Sequence, residues 1–347
     1  MLPNQPEIHE DFVHSLLLEW DLKKELLYQR SLKSIYFGGG TPALLAPKLF
    51  EKILSQIPWD KSIEITLEAN PENLTLEVLK DFKSLGINRL SLGAQSFEDR
   101  LLKILSRTHN SQSTLLALSH AVKAGFKNIS IDLMYDLPNQ TRQDWLKTLK
   151  IASQEPITHL SLYNLTIEPG TVFFKKKNQL ILPDPEESLF MYQSAETILS
   201  EMGLLPYEIS AFARSESYSK HNVGYWTARD FIGLGPSAFS YMNQQRFRNV
   251  PHYNKYQKAL EQGHDPKEEP DFLTKEERRD ELLAVELRLR RGVHLTSFQA
   301  RHGQITIKTK EAIKTLIEKG WLEQKNDNIK LTSSGILFYD SVAVEII

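Results

Sequence analysis

Glu68, Gln95 and Asp132 stand at or near the C-terminal ends of three successive β-like runs, each on the polar side of its alternation. Barrel active sites are built at that end, from side chains contributed by different strands. Arg107, in the stretch LSRTHN, can reach over the same mouth as a partner for a carboxylate. Gly38-Gly39-Gly40-Thr41-Pro42 closes an earlier run and opens a helical pattern. Three glycines let backbone N–H groups converge, Thr41 can cap the helix, and Pro42 suits its first turn. Converging amides at such a point favour an anion, either a phosphate or a carboxylate. His221 lies in His-Asn-x-x-Tyr-Trp, beside Tyr225 and Trp226. An imidazole with two aromatic neighbours can cradle a flat macrocycle and serve as its axial ligand.

The elements that must position these groups alternate. β-like runs over 31–37, 62–68, 88–95, 128–135 and 158–165 are interleaved with helical patterns. These cover Leu44–Ile57, Leu74–Leu85, Glu98–Ser106 with Ser113–Ala124, Thr141–Ser153 and Pro185–Met202. Strand and helix in turn predict parallel strands with crossover helices, in a partial or complete (β/α) barrel or a doubly wound sheet. Parity favours the barrel. Ile63, Ile65 and Leu67 oppose Glu64, Thr66 and Glu68, and Ile129, Ile131 and Leu133 oppose Ser130 and Asp132. A strand covered on both faces of a doubly wound sheet reads as a continuous apolar run instead. One polar face in strand after strand predicts a barrel with a wet or ligand-filled interior.

Further strand-like runs are expected at 207–213 and 230–241. The proline- and charge-rich stretch around 263–275 reads as a linker between a barrel region, 1–262, and a smaller region, 276–347. Helices near Glu276–Arg290 and Lys310–Lys319, then a hairpin over 321–332, predict a winged-helix-like α+β domain. The charged run Lys275–Glu281 is expected to be a solvated helix face.

Composition narrows the chemistry. The chain has 347 residues with 42 basic and 44 acidic side chains, so it lacks the basic footprint of a nucleic-acid binder. Residues 276–347 carry 12 basic and 11 acidic side chains, which favours a packing or lid role over DNA binding. No apolar run reaches spanning length and the opening MLPNQPEIHEDF is no signal peptide, so a cytoplasmic protein is expected. Cysteine is absent. Within these residues that removes disulfides, thiolate metal sites, a cysteine nucleophile and thiolate-held iron–sulfur clusters.

Seven motifs, in order, give the chain a family likeness: IYFGGGTP, LEANPENLT, GINRLSLGAQSF, LSRTH, IDLMYDLPNQT, LSLYNLTIEPGT and HNVGYWTARDFIGLGPSAFSY. Together they resemble the anaerobic coproporphyrinogen III oxidase family of radical SAM proteins, over nearly the whole chain. The HN-x-x-YW element resembles the HemW branch, regarded as haem chaperones, more than the oxidases. The resemblance implies a partial (β/α) barrel, S-adenosylmethionine (SAM), a [4Fe–4S] cluster, and haem or porphyrin as ligand. Carried onto this sequence, Gly39, Gly40 and Thr41 hold the amino-acid end of SAM. Glu68 meets its amino group, Arg107 its carboxylate, Gln95 and Asp132 the ribose side, and Thr166 lies near the adenine. His221 is the haem residue. Asp136 stands where the family favours glycine.

The family also carries a C-x-x-x-C-x-x-C loop after its first strand, and here Met1 falls where that loop is expected to end. The run Glu10–Leu26 resembles the helix that follows it. Two readings follow: a start codon placed too late, or a shortened, non-radical relative. The retained Glu68, Gln95, Arg107 and Asp132 favour the first. The expected function is haem binding and transfer to an acceptor protein. The alternatives are oxidative decarboxylation of coproporphyrinogen III, and SAM or haem binding without redox chemistry.

Overall fold

The computed structural model describes residues 6–269 and 273–347. The expected start at Met1 and positions 270–272 of the expected linker lie outside the described residues. The chain forms two compact units, one of Ser34–Pro47 and Lys61–Tyr218, the other of Met1–Lys33, Lys48–Asp60 and Ser219–Ile347.

The first unit carries one sheet of seven strands: β1 (Ser34–Phe37), β2 (Glu64–Ala69), β3 (Arg89–Gln95), β4 (Asn128–Tyr135), β5 (His159–Asn164), β6 (Leu205–Glu208) and β7 (Ala211–Ala213). Strands β1 to β5 are parallel and lie side by side in chain order, with none of the order reversal of a doubly wound sheet. The run expected at 207–213 is a hairpin of β6 and β7, and β7 pairs antiparallel with β5.

The apolar alternation is buried throughout: Ile65, Leu67, Leu90, Leu92, Ile129, Ile131, Leu133, Leu160 and Leu162. Crossover helices supply its cover through residues such as Phe82, Leu118, Trp145 and Leu199. Their starts are encoded locally. Thr75, Asn110 and Asp184 each accept a backbone N–H at a helix N-terminus, and Thr141 with Asp144 forms a capping box. The helix expected over Leu44–Ile57 is shorter. A 3₁₀ turn at Pro42–Leu44 precedes a helix at Pro47–Leu54, because proline disfavours the helical conformation in the residue before it.

The second unit holds helices Pro6–Lys23, Lys220–Trp226 and Tyr253–Glu261, and a hairpin of β8 (Phe239–Met242) and β9 (Gln245–Arg248). Only the last part of the run expected at 230–241 is a strand. Phe231 makes a single bridge to Tyr241, and the turn-forming sequence Gly233–Ser237 separates them. Further along, helices Lys275–Glu286, Leu295–His302 and Ile307–Glu318 accompany β10 (Val293–His294), β11 (Leu322–Lys325) and β12 (Asn328–Leu331) in the order β10-β12-β11. This is the expected winged-helix-like arrangement. The charged run Lys275–Glu281 is not wholly solvated. Arg279 and Asp280 are buried, where Arg279 donates to the Gln304 carbonyl at 2.6 Å and Asp280 accepts from Thr309 at 3.0 Å.

Glu19 is fully buried in this unit and accepts four hydrogen bonds. Oε1 receives Lys23 at 2.5 Å and Asn249 at 2.6 Å; Oε2 receives the Gly235 N–H at 2.7 Å and Tyr256 at 2.6 Å.

Candidate functional site

The C-terminal ends of β1 to β4 bring most of the expected residues onto one hydrogen-bonded surface. Glu68 ends the polar alternation of β2. Its Oε1 accepts from Tyr36 at 2.7 Å and its Oε2 from the Gly39 N–H at 3.2 Å. Asn70 donates to Thr41 Oγ1 at 3.2 Å and accepts from Arg107 Nη1 at 3.4 Å, so it ties the glycine turn to the arginine. The Thr41 hydroxyl caps no helix; with only a 3₁₀ turn behind it, it serves Asn70 instead.

Gln95 is buried and takes a left-handed backbone, φ 62°, where the pairing of β3 with β4 shifts register. Such a conformation is costly for a residue other than glycine, and strain of this kind gathers at binding sites. Gly93 makes room for it: a Cβ there would lie 2.8 Å from Gln95 Nε2 and 3.3 Å from Asn70 Oδ1. Gly40 and Thr166 are exposed and take no part in this network.

Asp132 is held by Ser91, whose hydroxyl donates at 3.4 Å, and by Ser161. Its carboxyl is pushed up to about 6, chiefly by burial, against the pull of Ser161 and Arg89. Burial and the neighbouring Glu68 also push the Tyr36 hydroxyl far up. Deeper along the same polar face, Arg89 is 2% exposed and its Nε has no partner among the described residues; Thr66 Oγ1 is likewise unpartnered. His159 is fully buried between Ser130 at 2.8 Å and Tyr207 at 2.9 Å, and its desolvation keeps the imidazole neutral. The polar parity of the strands is therefore a real interior.

Sequence reasoning missed Tyr36, Asn70, Ser91 and Ser161 as site groups. Parity held the signal, since Asn70 continues the polar face of Glu68 and Ser91 that of Gln95. Asp136 adopts φ 61°, which explains why glycine suits this position. Its Oδ2 accepts from Asn164 at 2.7 Å, Oδ1 has no partner among the described residues, and burial raises its pKa.

In the second unit, His221 and Tyr225 lie one helical turn apart on Lys220–Trp226, a helix that Ser219 caps through the Asn222 N–H at 3.3 Å. His221 Nε2 and the Tyr225 hydroxyl are 2.7 Å apart, and the rings meet edge-on at 4.7 Å. Tyr225 is packed in turn against Phe231 at 4.5 Å. The Arg288 guanidinium covers Trp226 at 4.3 Å, and the buried Trp226 Nε1 has no partner among the described residues. The His221 imidazole is partly exposed.

The polar surface around Glu68 suits a ligand that carries both an ammonium and a carboxylate. An iron–sulfur cluster does not fit the residues present: the chain has no cysteine, and among the described residues no group of three or more His, Asp or Glu could hold a metal ion. Among the described residues, no helix is long and apolar enough to cross a membrane.

Comparison with known proteins agrees with this architecture. Residues 17–152 match the radical SAM superfamily and residues 273–338 the HemN C-terminal domain. The chain is 34% identical to the heme chaperone HemW of Bacillus subtilis, over 90% of its length and 85% of that protein. It is 31% identical to the mitochondrial radical S-adenosyl methionine domain-containing protein 1 of Bos taurus, over 96% and 79%. The solved structure of coproporphyrinogen III oxidase HemN from Escherichia coli superimposes with a TM-score of 0.85 at 21% identity, over 100% of this chain and 85% of that one, a likeness of fold. The chain belongs to the HemW family within the radical SAM superfamily.

Proposed function

We propose that this protein is a cytoplasmic haem chaperone that binds haem at His221 and passes it to an acceptor protein, with SAM held on the polar face of the half-barrel. The observation that carries the reading is similarity to heme chaperones over about nine-tenths of the chain. The HN-x-x-YW helix supports it, because it offers an imidazole, two aromatic faces and an unmet indole donor within seven residues.

On the half-barrel, Gly39, Gly40 and Thr41 receive the amino-acid end of SAM. Glu68 meets the ammonium, Arg107 the carboxylate, Gln95 and Asp132 the ribose side, and Thr166 borders the adenine. Bound SAM supplies a sulfonium and, in radical members of the family, a source of a carbon radical. Tyr36 and the Gly39 N–H hold Glu68 in place, and Asn70 aims Arg107. A carboxylate on β2 and a guanidinium on the loop after Asp99–Ile104, tied to the end of β2 through Asn70, select a zwitterion over a simple anion. Structural likeness to an oxidase at 21% identity speaks for the fold alone.

Titration of ferric haem into the purified chain tests the reading. Saturable binding with a Soret band that shifts in His221→Ala is expected. If His221→Ala leaves both affinity and spectrum unchanged, the assignment of His221 is wrong.

A further inference from the structure

A chaperone must release what it carries, and on the helix Lys220–Trp226 His221 and Tyr225 are in direct contact. His221 Nε2 is the nitrogen that projects from the far side of the ring and is suited to an axial iron bond. In this structure the same nitrogen shares a hydrogen bond with the Tyr225 hydroxyl at 2.7 Å. The two residues are four apart on one helix, so the contact is local and re-forms without any larger rearrangement. Phe231 at 4.5 Å fixes the Tyr225 ring in its place.

We propose that Tyr225 is a release latch: its hydroxyl competes with haem iron for His221 Nε2, weakening the loaded state and speeding transfer. This rests on the reading of His221 as the haem residue. Binding costs the hydrogen bond between the two side chains, and departure restores it. A neutral hydrogen bond of this kind changes an equilibrium by roughly two- to tenfold.

Tyr225→Phe keeps the ring and its packing on Phe231 while deleting the competitor. Titration of ferric haem followed by absorbance should show affinity rising roughly two- to tenfold. Transfer to excess apomyoglobin, measured by stopped flow, should slow by a similar factor. The gain must vanish when His221→Ala is combined with Tyr225→Phe. Unchanged or weaker affinity in Tyr225→Phe, with His221→Ala still impaired, overturns the latch and leaves the haem reading intact. A gain that persists in the double variant also overturns it, because the hydroxyl would then act elsewhere. If His221→Ala alone has no effect on haem, the underlying reading fails first. Circular dichroism of Tyr225→Phe separates these outcomes from misfolding.

Discussion

Two buried polar clusters in this protein are built to opposite standards. Around Glu19, in the second unit, each carboxylate oxygen receives two donors, from Lys23, Asn249, Gly235 and Tyr256. Along the polar face of β2 to β5, in the first unit, Thr66 and Arg89 keep atoms without a partner among the described residues, Asp132 is pushed up to about 6, and Gln95 sits in a left-handed backbone. Buried polar groups are normally satisfied, and each exception asks for an explanation. The satisfied cluster joins distant parts of the chain, with Gly235 standing 216 positions and Tyr256 237 positions after Glu19. Its role is structural. The unsatisfied one runs along the strand face that ends at Glu68, Gln95 and Asp132, with Thr66 and, at the start of β3, Arg89 deep in it.

The contrast can be broken most forcefully at Glu19. Glu19→Ala leaves the buried Lys23 only Asn249 at 3.0 Å and the more distant Asp265 at 3.6 Å, and urea unfolding should show a loss of about 3–5 kcal/mol. A loss below about 1 kcal/mol would mean that the cluster is not the structural tie described. Glu68→Gln tests the other side. It should weaken SAM binding by roughly ten- to a hundredfold in isothermal titration, since a charge-assisted hydrogen bond is lost, while the melting temperature hardly moves. Equal loss of stability and binding would merge the two clusters into one class.

Asp132 sharpens the comparison through pH. Its folded pKa of about 6 lies above the ordinary 3.8, so the folded state holds the proton more tightly. The stability this contributes is complete below about 3.8 and is lost as pH rises through about 6. Asp132→Asn should therefore melt higher than the parent at pH 7 and converge with it near pH 4; parallel melting curves at both pH values would refute the assignment. Smallest is Asp136→Gly, which relieves a left-handed aspartate but gives up the bond to Asn164. A net gain of about 1 kcal/mol or less is expected by urea unfolding.

Much of this was legible along the chain. The alternation in 62–68, 88–95 and 128–135 placed Glu68, Gln95 and Asp132 on one face, because side chains in a strand change sides at every residue. The pairing of His221 with Tyr225 is equally local, since residues four apart meet on a helix. The network centred on Asn70 was not legible as such. It joins Thr41, 29 residues before it, to Arg107, 37 residues after it, through contacts that no local pattern records. The run 230–241 misled for a related reason: its apolar residues resemble a strand, but Gly233–Ser237 turns the backbone and the Gly235 N–H is spent on Glu19.

The sequence by itself determined the strand–helix alternation, the polar parity of the sheet, the capped helix starts and the lack of any thiolate, because each depends on residue identity or short spacing. Tertiary structure alone decided that β6 and β7 follow β5 as an antiparallel hairpin, that burial lifts the Asp132 carboxyl to about 6, and that Glu19 finds four donors while Arg89 Nε finds none among the described residues. Desolvation and long-range pairing belong to the packed chain, where groups far apart in sequence compete for the same few partners.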